Sequence, residues 1–327
     1  MSMSFRLTAA VLLCIVVAAC GHSPVPGSRP QQSQAAQAAL PGVAPTHAPA
    51  TSYPAAAPPQ AQSGPLLADS TDGVHIEYNV YGHGEPAVVL IHGWACNASY
   101  WRAQLADLSS RYTTVTLDLA GHGASGSNRS DWSLARYGDD VAAVVRKLPN
   151  RQVVLVGHLM GGPVALEAAP LIGPRVIGII GVDTFTSLGQ PPLPRPVLEK
   201  EVAPFRADFI GEMHRFVPLL FTHNTDPAFV RKVADDMSRT SPPIAIATLL
   251  GLNSVDFATL LPHVHVPIIA IDSDTGQIVN EALVRKSVPR FRLVVVKGSG
   301  QFVMLEDPHR FNPILIRAIA SLASSSR

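Results

Sequence analysis

The chain has 327 residues, 47% of them apolar and 15% charged, with a formal net charge of +1. That length supports one large globular domain or at most two, and the near-zero charge argues against a nucleic-acid partner, which draws on a basic excess. Cys14, Cys20 and Cys96 show neither the spacing of a disulfide framework nor that of a metal site, and no cofactor is expected.

The N-terminus reads as an export signal. Arg6 supplies positive charge and Leu7–Ala19 is an apolar run too short to span a bilayer comfortably. Val17-Ala18-Ala19-Cys20 resembles a bacterial lipobox, in which residues 1–19 are removed and Cys20 is acylated with palmitate-like chains that bury their methylenes in a membrane. An ordinary signal peptide cut after Ala19 is the other reading. The lipobox reading places the protein outside the cytoplasm, lipid-anchored to the bacterial cell envelope, with the membrane as a partner through Cys20. Residues 20–68 are rich in Pro, Ala, Gln and Ser. They hold too few large apolar side chains to offset the entropy of ordering, which predicts a disordered, fairly extended tether.

A folded domain is expected over residues 69–327. Its predicted strands are Val74–Tyr81, Ala87–His92, Thr113–Asp118, Gln152–Val156, Val176–Val182, Pro267–Ile271 and Phe291–Val296. Several are near-continuous Val/Ile/Leu, as strands buried on both faces must be. Leu134, Tyr137, Val141, Val144, Val145 and Leu148 mark one helix face between them. Asn312-Pro313 reads as an N-cap with proline at the first helical position, opening a C-terminal helix. Alternating strand and helix predicts an α/β fold with a mostly parallel sheet covered on both faces. Residues 184–266 break the rhythm. Phe205, Phe209, Met213, Phe216 and Leu220 follow helical spacing, a second helix is expected at Asp226–Ser238 with Asp226 as cap, and a third at Pro243–Leu252. This is a helical insertion and a candidate lid, whose aromatic stripe serves core packing, a substrate cavity, or both.

Four motifs in order resemble those of the α/β-hydrolase family. Val88-Val-Leu-Ile-His92-Gly93-Trp94 is similar to its strand and oxyanion loop. Asp118-Leu-Ala-Gly121-His122-Gly123-Ala-Ser125 resembles its Asp-x-x-Gly-x-Gly-x-Ser turn. Gly157-His158-Leu159-Met160-Gly161-Gly162 resembles its nucleophile elbow, and Gly298-Ser299-Gly300-Gln301-Phe302 the late loop that carries the catalytic histidine. The resemblance implies a serine, acid, histidine triad and an oxyanion hole from the backbone N–H groups of Trp94 and Met160.

The chain departs from the family where the chemistry resides. Leu159 stands at the nucleophile and Gln301 at the base, and a glutamine side chain takes up no proton near neutral pH. For the acid the family's usual position falls on Gly276, leaving Asp274 two residues earlier or Asp183 at the end of the preceding strand, either of which can instead be structural. Cys96 reads as packing rather than as a nucleophile. His158 flanks the elbow and points away from the site, and His92 is expected to hold the oxyanion loop. His263 and His265 alternate just before a strand and away from its C-terminal end, and Ser299 lies in the late loop without an evident base. A non-glycine residue at the elbow costs about 1–3 kcal/mol of backbone strain, which Leu159 can offset by plugging the pocket and burying apolar surface worth up to ~2–3 kcal/mol.

The expected function is that of an envelope lipoprotein with a hydrolase-like fold and no nucleophile or base. It would hold a small apolar ligand beneath the lid or present a surface to an envelope protein. The competing readings are a serine-type carboxylic-ester hydrolase relative, esterase- or lactonase-like, with a rearranged or inactivated site, and a purely structural or decaying gene product.

Overall fold

The computed structural model describes residues 59–186, 188, 191–275 and 279–325. The export signal, Cys20, the tether up to residue 58 and Gly276 lie outside the described residues. The elements follow as β1 (Leu66–Asp69), β2 (His75–Tyr81), β3 (Ala87–Ile91), α1 (Arg102–Ser109), β4 (Thr113–Leu117), α2 (Leu134–Arg146), β5 (Val153–His158), α3 (Gly161–Ile172) and β6 (Val176–Val182). Then come α4 (Arg195–Ala207), α5 (Phe209–Phe216), α6 (Pro227–Met237), α7 (Pro242–Asn253), α8 (Phe257–Leu260), β7 (Ile268–Ser273), α9 (Glu281–Ser287), β8 (Phe291–Val296), α10 (Val303–Glu306) and α11 (Pro308–Ser325).

The eight strands form one sheet in the order β1-β2-β4-β3-β5-β6-β7-β8. Only β2 is reversed: it pairs antiparallel with both β1 and β4, and the remaining ladders are parallel. Every residue of β3, β4, β5 and β7 is buried, which explains why these segments carry apolar runs in place of alternation. Packing of α2 on α3 and of α1 on α11 accompanies the sheet. A buried ion pair secures the α2 side: Arg129 Nη1 donates to Asp140 Oδ2 at 3.1 Å and Ser70 Oγ to Asp140 Oδ1 at 2.6 Å.

Three expectations need adjusting. The sheet begins at Leu66, inside the span assigned to the tether, because β1 has too short a pattern to be read alone and exists by pairing Leu66 with Tyr78 and Asp69 with His75. The last helix starts at Pro308, so Asn312-Pro313 is not its cap. Asp307 caps it instead, its Oδ1 accepting from Arg310 N at 3.2 Å. Asn312 lies inside the helix and spends its amide on Ala103 O, Asp107 Oδ2 and Gln104 Nε2. The aromatic stripe runs across α4, α5 and the 3-10 turn Val217–Leu220, broken at Asp208, whose φ of −153° is non-helical and whose side chain caps α5 through Gly211 N. All five stripe residues are buried. α6 begins as expected, with Asp226 Oδ1 accepting from Ala228 N at 2.9 Å.

Candidate functional site

The site sits at the C-terminal ends of the parallel strands, where open α/β sheets bind ligands. β5 runs straight into α3 through a turn whose apex is Leu159, with φ +46°. This turn tolerates no side chain at its flanks. A Cβ on Gly157 would lie 2.1 Å from Gly161 O, and one on Gly161 would lie 2.4 Å from Ile91 O. The turn is held from outside as well: Leu159 N donates to Val182 O at 3.0 Å, and Leu159 O accepts from Gly162 N and from Thr184 Oγ1. The architecture of a nucleophile elbow is therefore complete, and a leucine occupies its apex. Leu159 is 6% exposed, yet it stands apart from the contiguous apolar core.

The loop after β3 faces the elbow. His92 Nε2 accepts from Leu119 N at 3.0 Å, so its proton resides on Nδ1, which donates to Gly93 O at 2.8 Å. Burial lowers its pKa to about 4, with a smaller contribution from His158, so this ring is neutral and works as a brace, as expected. Asp118 supports the same loop, its two oxygens accepting from Ala98 N at 2.7 Å and Ala124 N at 2.8 Å. Trp94 is roofed by the lid. Its Nε1 donates to Ala245 O in α7 at 2.7 Å, and its ring meets Phe205 and Phe216 edge-on at 5.5 and 6.1 Å. Among the described residues, the backbone N–H groups of Trp94 and Met160 donate to no protein acceptor.

The late loop holds no base. Gln301 is buried, its backbone N donating to Leu220 O at 2.7 Å and its carbonyl accepting from His158 Nε2 at 2.9 Å. His158 thus ties the elbow strand to the late loop. Its ring lies 4.8 Å from Phe302, which stacks on Phe221 of the lid at 5.0 Å, and burial lowers its pKa to about 4. Ser299 Oγ is spent on Val296 O at 2.7 Å.

Of the two candidate acids, Asp274 is exposed and accepts from Gly298 N at 2.6 Å, which makes it a brace for the late loop. Asp183 is half-buried, with its carboxyl turned inward. Its φ is +49°, its Oδ1 accepts from Ser273 N and Ser273 Oγ, both at 2.7 Å, and its Oδ2 is buried with no partner. Burial and then the neighbouring Asp272 carboxyl push its pKa well above the usual carboxylate range. Asp272 was not singled out from the sequence, where it is one of two aspartates ending a strand. It is 1% exposed, and burial raises its pKa to about 7 against the smaller opposing pull of the backbone N–H groups of Asp183 and Val279. Glu306 was also missed. It joins lid and late loop by accepting from Thr222 N at 3.1 Å and Gly300 N at 2.6 Å.

Cys96 is buried against Trp94 O at 3.4 Å, and burial together with Asp236 pushes its thiol well up, so no thiolate is present near neutral pH. His263 and His265 are exposed at the opposite end of the sheet, just before β7. No group of three or more metal-ligating side chains occurs among the described residues.

Residues 88–314 match the profile of the Alpha/beta hydrolase family. An uncharacterized protein of Mycobacterium tuberculosis is 27% identical over 267 residues, 75% of this chain and 78% of that one. The Karrikin insensitive 2 receptor CA of Petunia hybrida is 24% identical over 258 residues, 73% of this chain and 94% of the receptor. Among solved structures, the esterase EaEST from Exiguobacterium antarcticum superposes with a TM-score of 0.71 at 20% identity, over 78% of this chain and 99% of the esterase. At that identity the superposition speaks to the fold alone.

Proposed function

Because the chain belongs to the alpha/beta hydrolase family, we propose that it is a non-catalytic member that binds a small, largely apolar ligand under its lid, held at the cell envelope by lipid on Cys20. The observation that carries this reading is Leu159 at the left-handed apex of an otherwise complete elbow. A serine there would attack an acyl carbon only with a base to take its proton. Here the apex has no hydroxyl and Gln301 has no basic nitrogen. In a serine protease the loss of nucleophile or base costs on the order of a millionfold in turnover.

No other group takes over. The Cys96 thiol is protonated and bound to a carbonyl, Asp183 is bound to Ser273, and His158 is bound to Gln301 O. On this reading the uncommitted backbone N–H groups of Trp94 and Met160, with Trp94 packed under the aromatic lid residues Phe205 and Phe216, suit a ligand with one oxygen acceptor and an apolar body. A relative that is named a receptor agrees with use of this fold for binding.

The test compares the wild type with the Leu159→Ser/Gln301→His double variant on a short-chain activated ester and on a fluorophosphonate probe. The wild type should be at background and unlabelled, and the variant should gain both labelling and turnover because the elbow and its donors are in place. Turnover by the wild type would overturn the proposal.

A further inference from the structure

The parallel topology gathers the N-terminal ends of its strands on the end of the sheet opposite the elbow, and cations that are scattered in sequence meet there. Arg111 lies two residues before β4, Arg151 two before β5 and Arg290 immediately before β8, while Lys147 caps the C-terminus of α2 and Lys286 lies in the last turn of α9. All five are exposed. The carboxylate of Glu85 lies among them and keeps its negative charge, accepting from the backbone N–H groups of Arg151 and Gln152, so the cations still outnumber it. Asp107, near Arg111, accepts from Asn312. The lid end is different, because Arg195, Arg206 and Arg215 pair with Glu199, Glu212 and Asp208. A chain with a formal charge of +1 therefore carries a locally basic pole.

Two further observations place this pole. A cleft of about 620 Å³ opens on it, flanked by Arg151 and Arg290 with Glu85 also at its wall, and floored by Val176, Val266, Pro267 and Leu322. This volume is within the range of small-molecule sites, roughly 300–1,000 Å³. The chain also enters the fold here. Gln62 N donates to Val80 O at 2.8 Å and its side chain to Gly82 O. Because β2 is the reversed strand, with Tyr81 opposite Thr114 at the start of β4, its end lies at the same pole.

We propose that this pole is a docking surface for anionic phospholipid. Unpaired cations meet the headgroup phosphates, the cleft receives one headgroup with the apolar top of its lipid, and the domain stands with its lid turned away from the bilayer. The proposal takes only the presence of a bilayer from the lipid anchor; the charge and the chain's point of arrival belong to the fold. Attraction of a basic side chain to an anionic surface acts within a Debye length of about 8–10 Å, and each adjacent cation is worth roughly fivefold in partition.

The test uses the chain from residue 20 onward carrying Cys20→Ser, so that neither leader nor lipid contributes. It should sediment with vesicles of phosphatidylcholine and phosphatidylglycerol, not with phosphatidylcholine alone. Arg111, Lys147 and Arg151 hold no side-chain hydrogen bond or ion pair among the described residues, so their joint replacement by Glu should lower partition more than tenfold with an unchanged unfolding midpoint. Should the midpoint fall, the same three positions changed to Gln read the charge alone. Equal binding to neutral vesicles, or wild-type binding by the substituted chains, would overturn the proposal. Palmitate labelling at Cys20 in the bacterial host reads the anchor separately, so loss of labelling with retained vesicle binding removes the anchor and leaves the surface.

Discussion

Leu159 is the residue on which the strain of the elbow can be weighed. Its φ of +46° places an L-residue where its Cβ is crowded, at about 1–2 kcal/mol. Its side chain is 6% exposed, and truncating a buried leucine to alanine costs about 2–5 kcal/mol. Because Leu159 stands outside the contiguous core, the low end of that range, ~2–3 kcal/mol, applies to Leu159→Ala. The alanine keeps the crowded backbone. Leu159→Gly loses the same burial but releases the strain, offset by the ~0.4–1 kcal/mol that glycine adds to the freedom of the unfolded chain. Glycine should therefore be more stable than alanine here by about 0.5–1 kcal/mol, the reverse of their usual order in regular structure. Urea unfolding followed by tryptophan fluorescence, with Trp94 and Trp101 both buried, measures the difference. If Leu159→Ala matched or exceeded Leu159→Gly, the elbow would hold no strain and the reasoning would fail.

Stability should depend on pH through two opposed sets of buried groups. His92 and His158, with pKa values lowered to about 4, and His122, lowered to about 3, all by burial, bind fewer protons folded than unfolded. Their contribution is full above pH 6.5 and is lost as pH falls through those values. Asp272, raised to about 7 by burial, acts the other way, its contribution being present below about pH 4 and lost as pH rises through 7. Asp272→Asn should then gain on the wild type across pH 4–7 and level off above it; a gap constant with pH in thermal melts would refute this. Arg129 and Asp140 have side chains 2% and 0% exposed, so Arg129→Ala strands a buried carboxylate and should cost about 3–5 kcal/mol. The Arg129→Ala/Asp140→Ala pair should cost less than the sum of the single changes, as a double-mutant cycle in urea will show.

The sequence alone determined whatever rests on neighbours along the chain. The runs at Val176–Val182 and Phe291–Val296 are strands from end to end because apolar continuity is a local property. The glycines around Leu159 announce the left-handed turn, since only they fit between Gly161 O, Ile91 O and Thr184. Asp226-Pro227 starts its helix because capping needs only the next two residues. The absence of hydroxyl and imidazole at Leu159 and Gln301 is likewise visible by inspection.

The tertiary structure decided what depends on residues far apart. Leu66–Asp69 has no strand signal of its own and becomes one only when β2 lies beside it. Asn312-Pro313 has the chemistry of a cap, but Asp307 holds that role, and Asn312 finds partners about 200 residues away, with Gln104 208 positions off. Asp183 and Asp272 read as two aspartates ending different strands. The Asp272 carboxyl bears on Asp183 only because β6 and β7 are adjacent in the sheet, and burial pushes both carboxyls up. The basic pole has the same origin. Arg111, Arg151 and Arg290 lie in separate loops, and parallel strands can be joined only by connections that return each chain to the same end of the sheet.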